Sequence, residues 1–147
     1  MCRHSERFLA QNLRRSSSAA IYSLSAAKYM TFDWSHGPLA DGLHHYNSAE
    51  FFAAHESWES VWLAAPQPEK LFLQALIQTT VALHHFSRSN HLGATRLLNA
   101  ALRKLEPYPP DFANLNVPLL RDDIHTCLES LATDPHTQLT PPRIHPF

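Results

Sequence analysis

Apolar residues recur at helical spacing through most of the chain, and prolines fall mainly between the apolar segments. The pattern predicts five helices and no strands. The helices run from Pro38 to Tyr46, from an Asn47 cap to about Leu63, from Glu69 to about Arg88, from an Asn90 cap to a stop at Pro107, and from Pro118 past Leu131. In the second helix, Asn47 and Glu50 are predicted to form a capping box. The predicted fold class is all-α.

The stretch from His44 to Trp58 and the stretch from His84 to Leu98 follow one pattern written twice. Corresponding positions pair Tyr46 with Phe86, Ala54 with Ala94, Trp58 with Leu98 and Trp62 with Leu102. Each copy predicts a helix, a turn and a helix, and the small alanine lets two helices approach closely. We therefore expect a compact bundle of about five helices built around two stacked αα-hairpins.

The 147 residues fit one domain with its own core. The helical domain is predicted over residues 31–134, and an extended Pro-rich tail over residues 135–147. Residues 1–30 form a lead that is rich in Arg and Ser and has Glu6 as its only acid. We interpret this lead as disordered or mis-assigned, with Met30 as the expected start of the native chain. An organellar targeting peptide is the alternative interpretation.

Charge and apolar content bear on partners and location. The net charge of −1 offers no basic patch, so no nucleic-acid partner is expected. No apolar run reaches the roughly eighteen residues of a membrane span, so no membrane partner is expected. Cys2 and Cys127 do not make a disulfide framework, which favours a reducing, cytoplasmic location. A second copy of the chain and a partner helix both stay open as partners.

Polar residues interrupt the apolar faces of the second and third helices. His55 lies at the centre of the predicted buried stripe, Glu59 lies inside the same stripe, and Glu56 lies at its edge. On the third helix the stripe holds Gln74, Gln78 and His85, whereas His84 is predicted at the surface or an interface. The short link between the two helices predicts that they are antiparallel. Glu59 then faces Gln74, His55 faces Gln78, and His85 lies roughly 10 Å from His55 along the axis.

Two interpretations of this polar centre follow. In the preferred one, imidazole, carboxylate and amide groups close a buried hydrogen-bond network that fixes the register of the helices. In the other, His55 and Glu59 hold a divalent metal ion, and Glu56 is the general base of a hydrolase. The spacing differs from the zinc motif H-E-x-x-H, because Glu59 stands where the second His would be.

The segment from Tyr46 to Pro110 resembles the small helical family catalogued as domain of unknown function 309. The family's hallmark positions fall on Tyr46, Asn47, His55, Glu56, Glu59 and Trp62, and its second block falls on Gln74, Gln78, His85 and Asn90. The family usually has Gly where this chain has Ala49 and Ser89, and Glu where it has Ala53.

The resemblance implies an all-α bundle, and some members of the family carry the label "predicted metal-dependent hydrolase". That label itself rests on the His-Glu motif. The predicted function is therefore an uncharacterised helical domain with a buried His/Glu/Gln polar centre, with a divalent metal as the candidate cofactor. The alternative is a non-catalytic module that binds a peptide or a partner helix in the groove between its two αα-hairpins.

Overall fold

The structure is a computed structural model that describes residues 30–147. Apart from Met30, the predicted N-terminal lead lies outside the described residues. The described part contains five α-helices: α1 is Gly37–Asn47, α2 is Phe51–Ala64, α3 is Glu69–Ser87, α4 is His91–Leu105 and α5 is Val117–Thr133. A 3-10 turn, Phe112–Asn114, precedes α5. The all-α prediction is confirmed, and each helix lies close to its expected bounds.

The two hairpins of the predicted repeat are present. Helix α1 packs against α2, α3 packs against α4, and α2 packs against α3, which joins the hairpins into one bundle. The matched alanines Ala54 and Ala94 are both fully buried, as are Trp58 and Leu98. The equivalent positions of the two sequence copies therefore contribute to the same core.

The first hairpin closes through a direct contact between a glycine and a tryptophan. Gly42 of α1 lies against the indole of Trp58, and a Cβ atom at position 42 would overlap that ring. The indole nitrogen of Trp58 donates a hydrogen bond to the carbonyl of Leu39, with a distance of 3.1 Å. The absence of a side chain at Gly42 thus lets α1 approach α2 closely enough to bury a whole tryptophan.

Helix α3 is the central element of the bundle, with thirteen of its nineteen residues buried. The hydroxyl groups of Thr79 and Thr80 donate to the carbonyls of Ala75 and Ile77 within the same helix, so these buried polar groups are satisfied locally. Most of its other buried residues are apolar. The exceptions are Glu69, Gln74 and Gln78, which are buried polar residues.

The predicted capping box of the second helix is wrong. Asn47 is the last residue of α1, and Glu50 at the start of α2 makes no side-chain capping bond. Instead the backbone N–H of Glu50 donates to the carbonyl of His45, which closes the end of α1. By contrast, the predicted cap of α4 is confirmed, because the side chain of Asn90 accepts a hydrogen bond from Gly93 N–H at 2.9 Å.

The C-terminal tail has no helix after Thr133 and runs back along the bundle. The hydroxyl of Tyr46 donates to the carbonyl of Pro142, and Arg143 forms an ion pair with Asp123 of α5, with 2.9 Å between Nε and Oδ2. Near the end of the chain, Ile144 is buried. The tail is thus held against α1 and α5 by specific contacts.

Candidate functional site

Contacts at both ends of the α2–α3 pair define its register. Near the link, Lys70 Nζ lies 4.5 Å from the centre of the Trp62 ring and donates to the carbonyl of Leu63. At the other end, the rings of Phe52 and His84 pack with their centroids 5.8 Å apart. The helices are therefore antiparallel, as expected from the sequence, and the contact near the link has the expected register. That register puts Gln74 level with Glu59 and Gln78 level with His55.

His55 is the buried member of a pair on α2. Its side chain is only 3% exposed, whereas that of Glu59 is 23% exposed, and His55 Nε2 lies 3.4 Å from Glu59 Oε2. This distance is longer than an ordinary hydrogen bond, so the contact is mainly electrostatic. Glu56, the predicted general base, is exposed on the same helix. The pair thus reaches from the interior, at the imidazole, to the surface, at the carboxylate.

Burial controls the protonation of this imidazole. Removal from water lowers the pKa of His55 below its ordinary value of 6.5, while the negative charges of Glu59 and Glu56 oppose that shift. Desolvation is the larger effect, so His55 is neutral at neutral pH. A neutral imidazole has one nitrogen that donates a hydrogen bond and one that accepts.

The closed hydrogen-bond network preferred from the sequence is not formed by the described residues. Gln74 and Gln78 are 4% and 5% exposed, and each has an amide atom without a hydrogen-bond partner. Those atoms are Gln74 Nε2 and Gln78 Oε1. Neither ring nitrogen of His55 makes a hydrogen bond that satisfies it. The polar centre is buried as expected, but protein groups alone do not complete it.

The sequence pattern predicted His84 at the surface or an interface, and in the structure it lies at the contact between α2 and α3. Its ring is half-buried against Phe52, which also packs against His55 with a centroid separation of 5.7 Å. Burial lowers the pKa of His84, and the positive charge of Arg88 adds to this effect. The register expected from the sequence pairs Phe52 with Thr80, so the observed contact with His84 lies about one helical turn further along α3.

His85 lies at the end of α3 rather than beside His55. Its Nδ1 atom is 3.2 Å from the side-chain amide nitrogen of Asn90, at the turn that leads into α4. The sequence-based register placed His85 well along the helix from His55, and the contact with Asn90 agrees with that separation. His85 therefore helps to organise the turn of the second hairpin.

The described residues do not fit a metal centre with several protein ligands. Within residues 30–147, no group of three or more His, Cys, Asp or Glu side chains is placed to hold a metal ion. Catalytic zinc sites generally use about three protein ligands and leave one position open. His55 and Glu59 supply two donors, so metal binding by this pair stays a prediction.

Comparisons with known proteins agree with this geometry. Two helical hairpins around a buried polar centre make the protein a small helical-hairpin domain. Residues 39–97 match the model of a family described as "Domain of unknown function (DUF309)". The resemblance drawn from the sequence motifs is thereby confirmed over a segment that includes His55, Glu59, Gln74 and Gln78.

The chain is also similar to an uncharacterized curated protein. An uncharacterized protein of Aquifex aeolicus (strain VF5) is 29% identical over 84 residues, which make up 56% of this chain and 25% of that protein. The match thus spans about a quarter of the length of the relative. Neither description names an activity.

None of the helices in residues 30–147 is both long and apolar enough to cross a membrane.

Proposed function

We propose that this domain binds a small polar molecule at the centre formed by His55, Glu59, Gln74 and Gln78. The observation that carries the proposal is the set of buried nitrogen and oxygen atoms of His55, Gln74 and Gln78 that lack a hydrogen-bond partner among the described residues. Leaving one such atom unsatisfied costs about 1–3 kcal/mol, and native proteins rarely tolerate several together. A bound molecule would supply the missing partners.

The chemistry of these groups specifies the class of ligand. Neutral His55 offers one donor and one acceptor, the amide of Gln74 offers a donor, and the carbonyl of Gln78 offers an acceptor. Glu59 adds a negative charge at the exposed side of the pair, and Glu56 adds another nearby. Anions would be repelled. The set suits a neutral or cationic molecule that carries both hydrogen-bond donors and acceptors.

Catalysis by this centre would need further partners. As a hydrolase, the domain would use the neutral imidazole of His55 or the exposed carboxylate of Glu56 to accept a proton from water or substrate. The label carried by some relatives in the family favours hydrolysis, but the described donors do not assemble a metal site with three protein ligands. We therefore propose ligand binding as the function of the centre and derive no step through a metal ion.

The peptide-binding alternative has less support. The large apolar side chains that are exposed in the described residues are Leu63, Leu92 and Phe147. They belong to α2, α4 and the end of the tail, and no contact groups them on one groove. A docked helix or peptide therefore stays an alternative prediction.

Native mass spectrometry and elemental analysis of the full, untagged chain test the proposed site. Wild type is expected to retain a small bound molecule. Otherwise its melting temperature should rise when a neutral or cationic compound that carries both hydrogen-bond donors and acceptors is added. His55→Gln and Glu59→Gln should lose this effect while keeping their helical circular dichroism. Glu50→Gln is the matched control, because Glu50 contacts His45 with a similar separation of 3.2 Å but at an exposed position.

Two results would overturn the proposal. If wild type carries no bound molecule and no compound of this class changes its melting temperature, ordinary water completes the centre. If wild type instead carries about one divalent metal per chain that is lost in both variants, a metal site replaces the proposed polar-ligand site.

A further inference from the structure

A second candidate site lies at the beginning of α3, away from the His55 centre. A cavity of about 220 Å³ is bounded there by Met30 and Phe32 from the segment before α1, by Glu69, and by Phe112 and Asn114 from the turn before α5. By the same measure, one water molecule needs only about 10–15 Å³. The cavity is therefore large enough for an organic ligand of several heavy atoms.

The carboxylate of Glu69 is the unusual group in this cavity. The residue is 1% exposed, and its Oε1 atom accepts a hydrogen bond from the backbone N–H of Met30 at 2.9 Å. Its other oxygen, Oε2, is buried and has no hydrogen-bond partner in the described part of the chain. Glu69 is the first residue of α3, so its carboxylate lies at the end of the helix that carries the partial positive charge.

One of the two oxygens of this carboxylate, Oε1, is thus bonded to the backbone at Met30. A buried negative charge is normally paired with a positive group or with several strong donors. The single backbone N–H of Met30 is a neutral donor, and it reaches only one of the two oxygens. A cation in the cavity beside Glu69 would supply the missing positive charge.

The walls of the cavity indicate what kind of cation fits. Phe32 and Phe112 both line it, with ring centroids 6.0 Å apart. Phenyl rings attract cations through their negative faces and exclude water from the carbon atoms of an organic ligand. A divalent metal ion would need several oxygen ligands, and Glu69 is the only carboxylate among the residues that line the cavity. An anion would be repelled by Glu69.

We propose that this cavity binds a small organic ammonium ion. The ammonium group lies beside the Glu69 carboxylate, and the alkyl part lies against Phe32 and Phe112. The site is separate from the His55 centre, and it does not depend on the function proposed for that centre.

Butylammonium is a suitable probe, tested on the full chain by NMR titration and thermal unfolding. We expect a saturable shift of the Met30 amide resonance and a rise in melting temperature with butylammonium chloride. Equal concentrations of 1-butanol, which has the same carbon chain without the charge, and of sodium chloride should produce neither effect. This comparison is made on wild type, so it does not depend on the folding of any variant.

Substitutions then locate the binding group. Glu69→Gln keeps the size of the side chain and an acceptor for Met30 but removes the charge, so affinity for butylammonium should fall at least about tenfold. Phe112→Leu should reduce affinity by a smaller factor, about threefold. Glu129→Gln, at an exposed position of α5, is the matched control and should bind as wild type does.

The proposal fails under any of three results. They are equal responses to butylammonium and 1-butanol, unchanged affinity in a folded Glu69→Gln protein, and no saturable shift of the Met30 amide up to about 100 mM probe. Unchanged affinity in Phe112→Leu would remove the aromatic wall from the site.

Discussion

Ala49 and Ser89 occupy corresponding positions in the two helical hairpins and adopt the same left-handed backbone conformation, with φ angles of 59° and 60°. In each hairpin the following residue completes the turn. Glu50 N–H donates to the carbonyl of His45, and Asn90 N–H donates to the carbonyl of His85, both at 2.8 Å. This is the pattern of a helix C-terminus closed by a left-handed residue. The sequence repeat is therefore also a repeat of backbone geometry.

Glycine at these two positions should stabilise the protein. An L-residue in the left-handed region costs roughly 1–2 kcal/mol, and glycine loses about 0.5–1 kcal/mol through the greater freedom of its unfolded chain. Ala49→Gly and Ser89→Gly should each raise the free energy of unfolding by about 0.5–1 kcal/mol, and the double variant should show roughly the sum. Urea denaturation monitored by circular dichroism measures these changes.

A glycine inside a helix provides the control. Ala53→Gly, within α2, should lower the free energy of unfolding by about 1 kcal/mol. If Ala49→Gly or Ser89→Gly destabilised the protein to a similar extent, the left-handed turns would not be strained. The resemblance to a family that usually has Gly at both positions agrees with the expected gain.

These turns also mark the limit of what the sequence could predict about the fold. Apolar spacing and proline positions gave the five helices, because both act through local geometry. The same local reasoning assigned Asn47 to the wrong helix. A helix C-cap and the next N-cap compete for the same few residues, and the conformation of Ala49 decided between them. The docking of the tail on Tyr46 depends on contacts between distant parts of the chain, which no local pattern encodes.

The tail should be released when its contact with Tyr46 is removed. Burial raises the pKa of Tyr46, so its hydroxyl stays protonated and donates to the carbonyl of Pro142. Tyr46→Phe leaves that acceptor without its partner and should cost about 1–2 kcal/mol of stability. Hydrogen exchange should quicken at Phe147 N–H and Asn116 N–H, which bond between the tail and the turn before α5.

An ion pair on the same tail serves as the comparison. Arg143→Ala removes the side-chain ion pair with Asp123 but keeps the hydrogen bond from the backbone N–H of residue 143 to Asp123 Oδ2. Because the lost pair is largely exposed, stability should fall less than in Tyr46→Phe. A larger loss in Arg143→Ala than in Tyr46→Phe would mean that the ion pair, rather than the buried hydroxyl, holds the tail.

Acid should destabilise the protein through His55. Because burial holds the pKa of His55 below 6.5, the unfolded chain binds a proton at a higher pH than the folded chain does. The stability that neutral His55 provides is complete above about pH 6.5 and is lost as the pH falls through the folded pKa. Glu59 and Glu56 oppose the shift from α2, while His84, whose pKa is also lowered, faces the site from α3 beside Arg88 and His85.

Urea denaturation at a series of pH values tests this. His55→Gln should reduce the decline in unfolding free energy on the acid side of pH 6.5, and adding His84→Gln should reduce it further. His45→Gln, which removes a more exposed histidine paired with Glu50, should leave the decline in place. A decline as steep in His55→Gln as in wild type would show that His55 does not cause it.

The polar centre shows which parts of a site a sequence can predict. Helical periodicity put His55 and Glu59 on one face, and the short link between α2 and α3 gave their register against Gln74 and Gln78. The periodicity did not reveal that the amides leave atoms unsatisfied, because that depends on side-chain conformations. It also did not identify Phe52 as the partner of His84. The angle at which two helices cross brings residues from the edge of one face into contact, and that angle is not set by spacing alone.

The last prediction concerns a chain that begins at Met30. The N–H of Met30 donates a hydrogen bond to Glu69, and Phe32 packs in the core against Phe72. Because this chain keeps both contacts, we expect it to have the helicity and nearly the melting temperature of the full chain. A chain that begins at Asp33 lacks Phe32 and should melt at a lower temperature.

In the Met30 chain the nitrogen beside Glu69 becomes a charged α-amino group with additional donors. It should occupy the ammonium site and weaken butylammonium binding at least about tenfold in NMR titration. Loss of cooperative unfolding in this chain would show that residues 1–29 stabilise the domain, and undiminished butylammonium binding would place the probe away from Glu69.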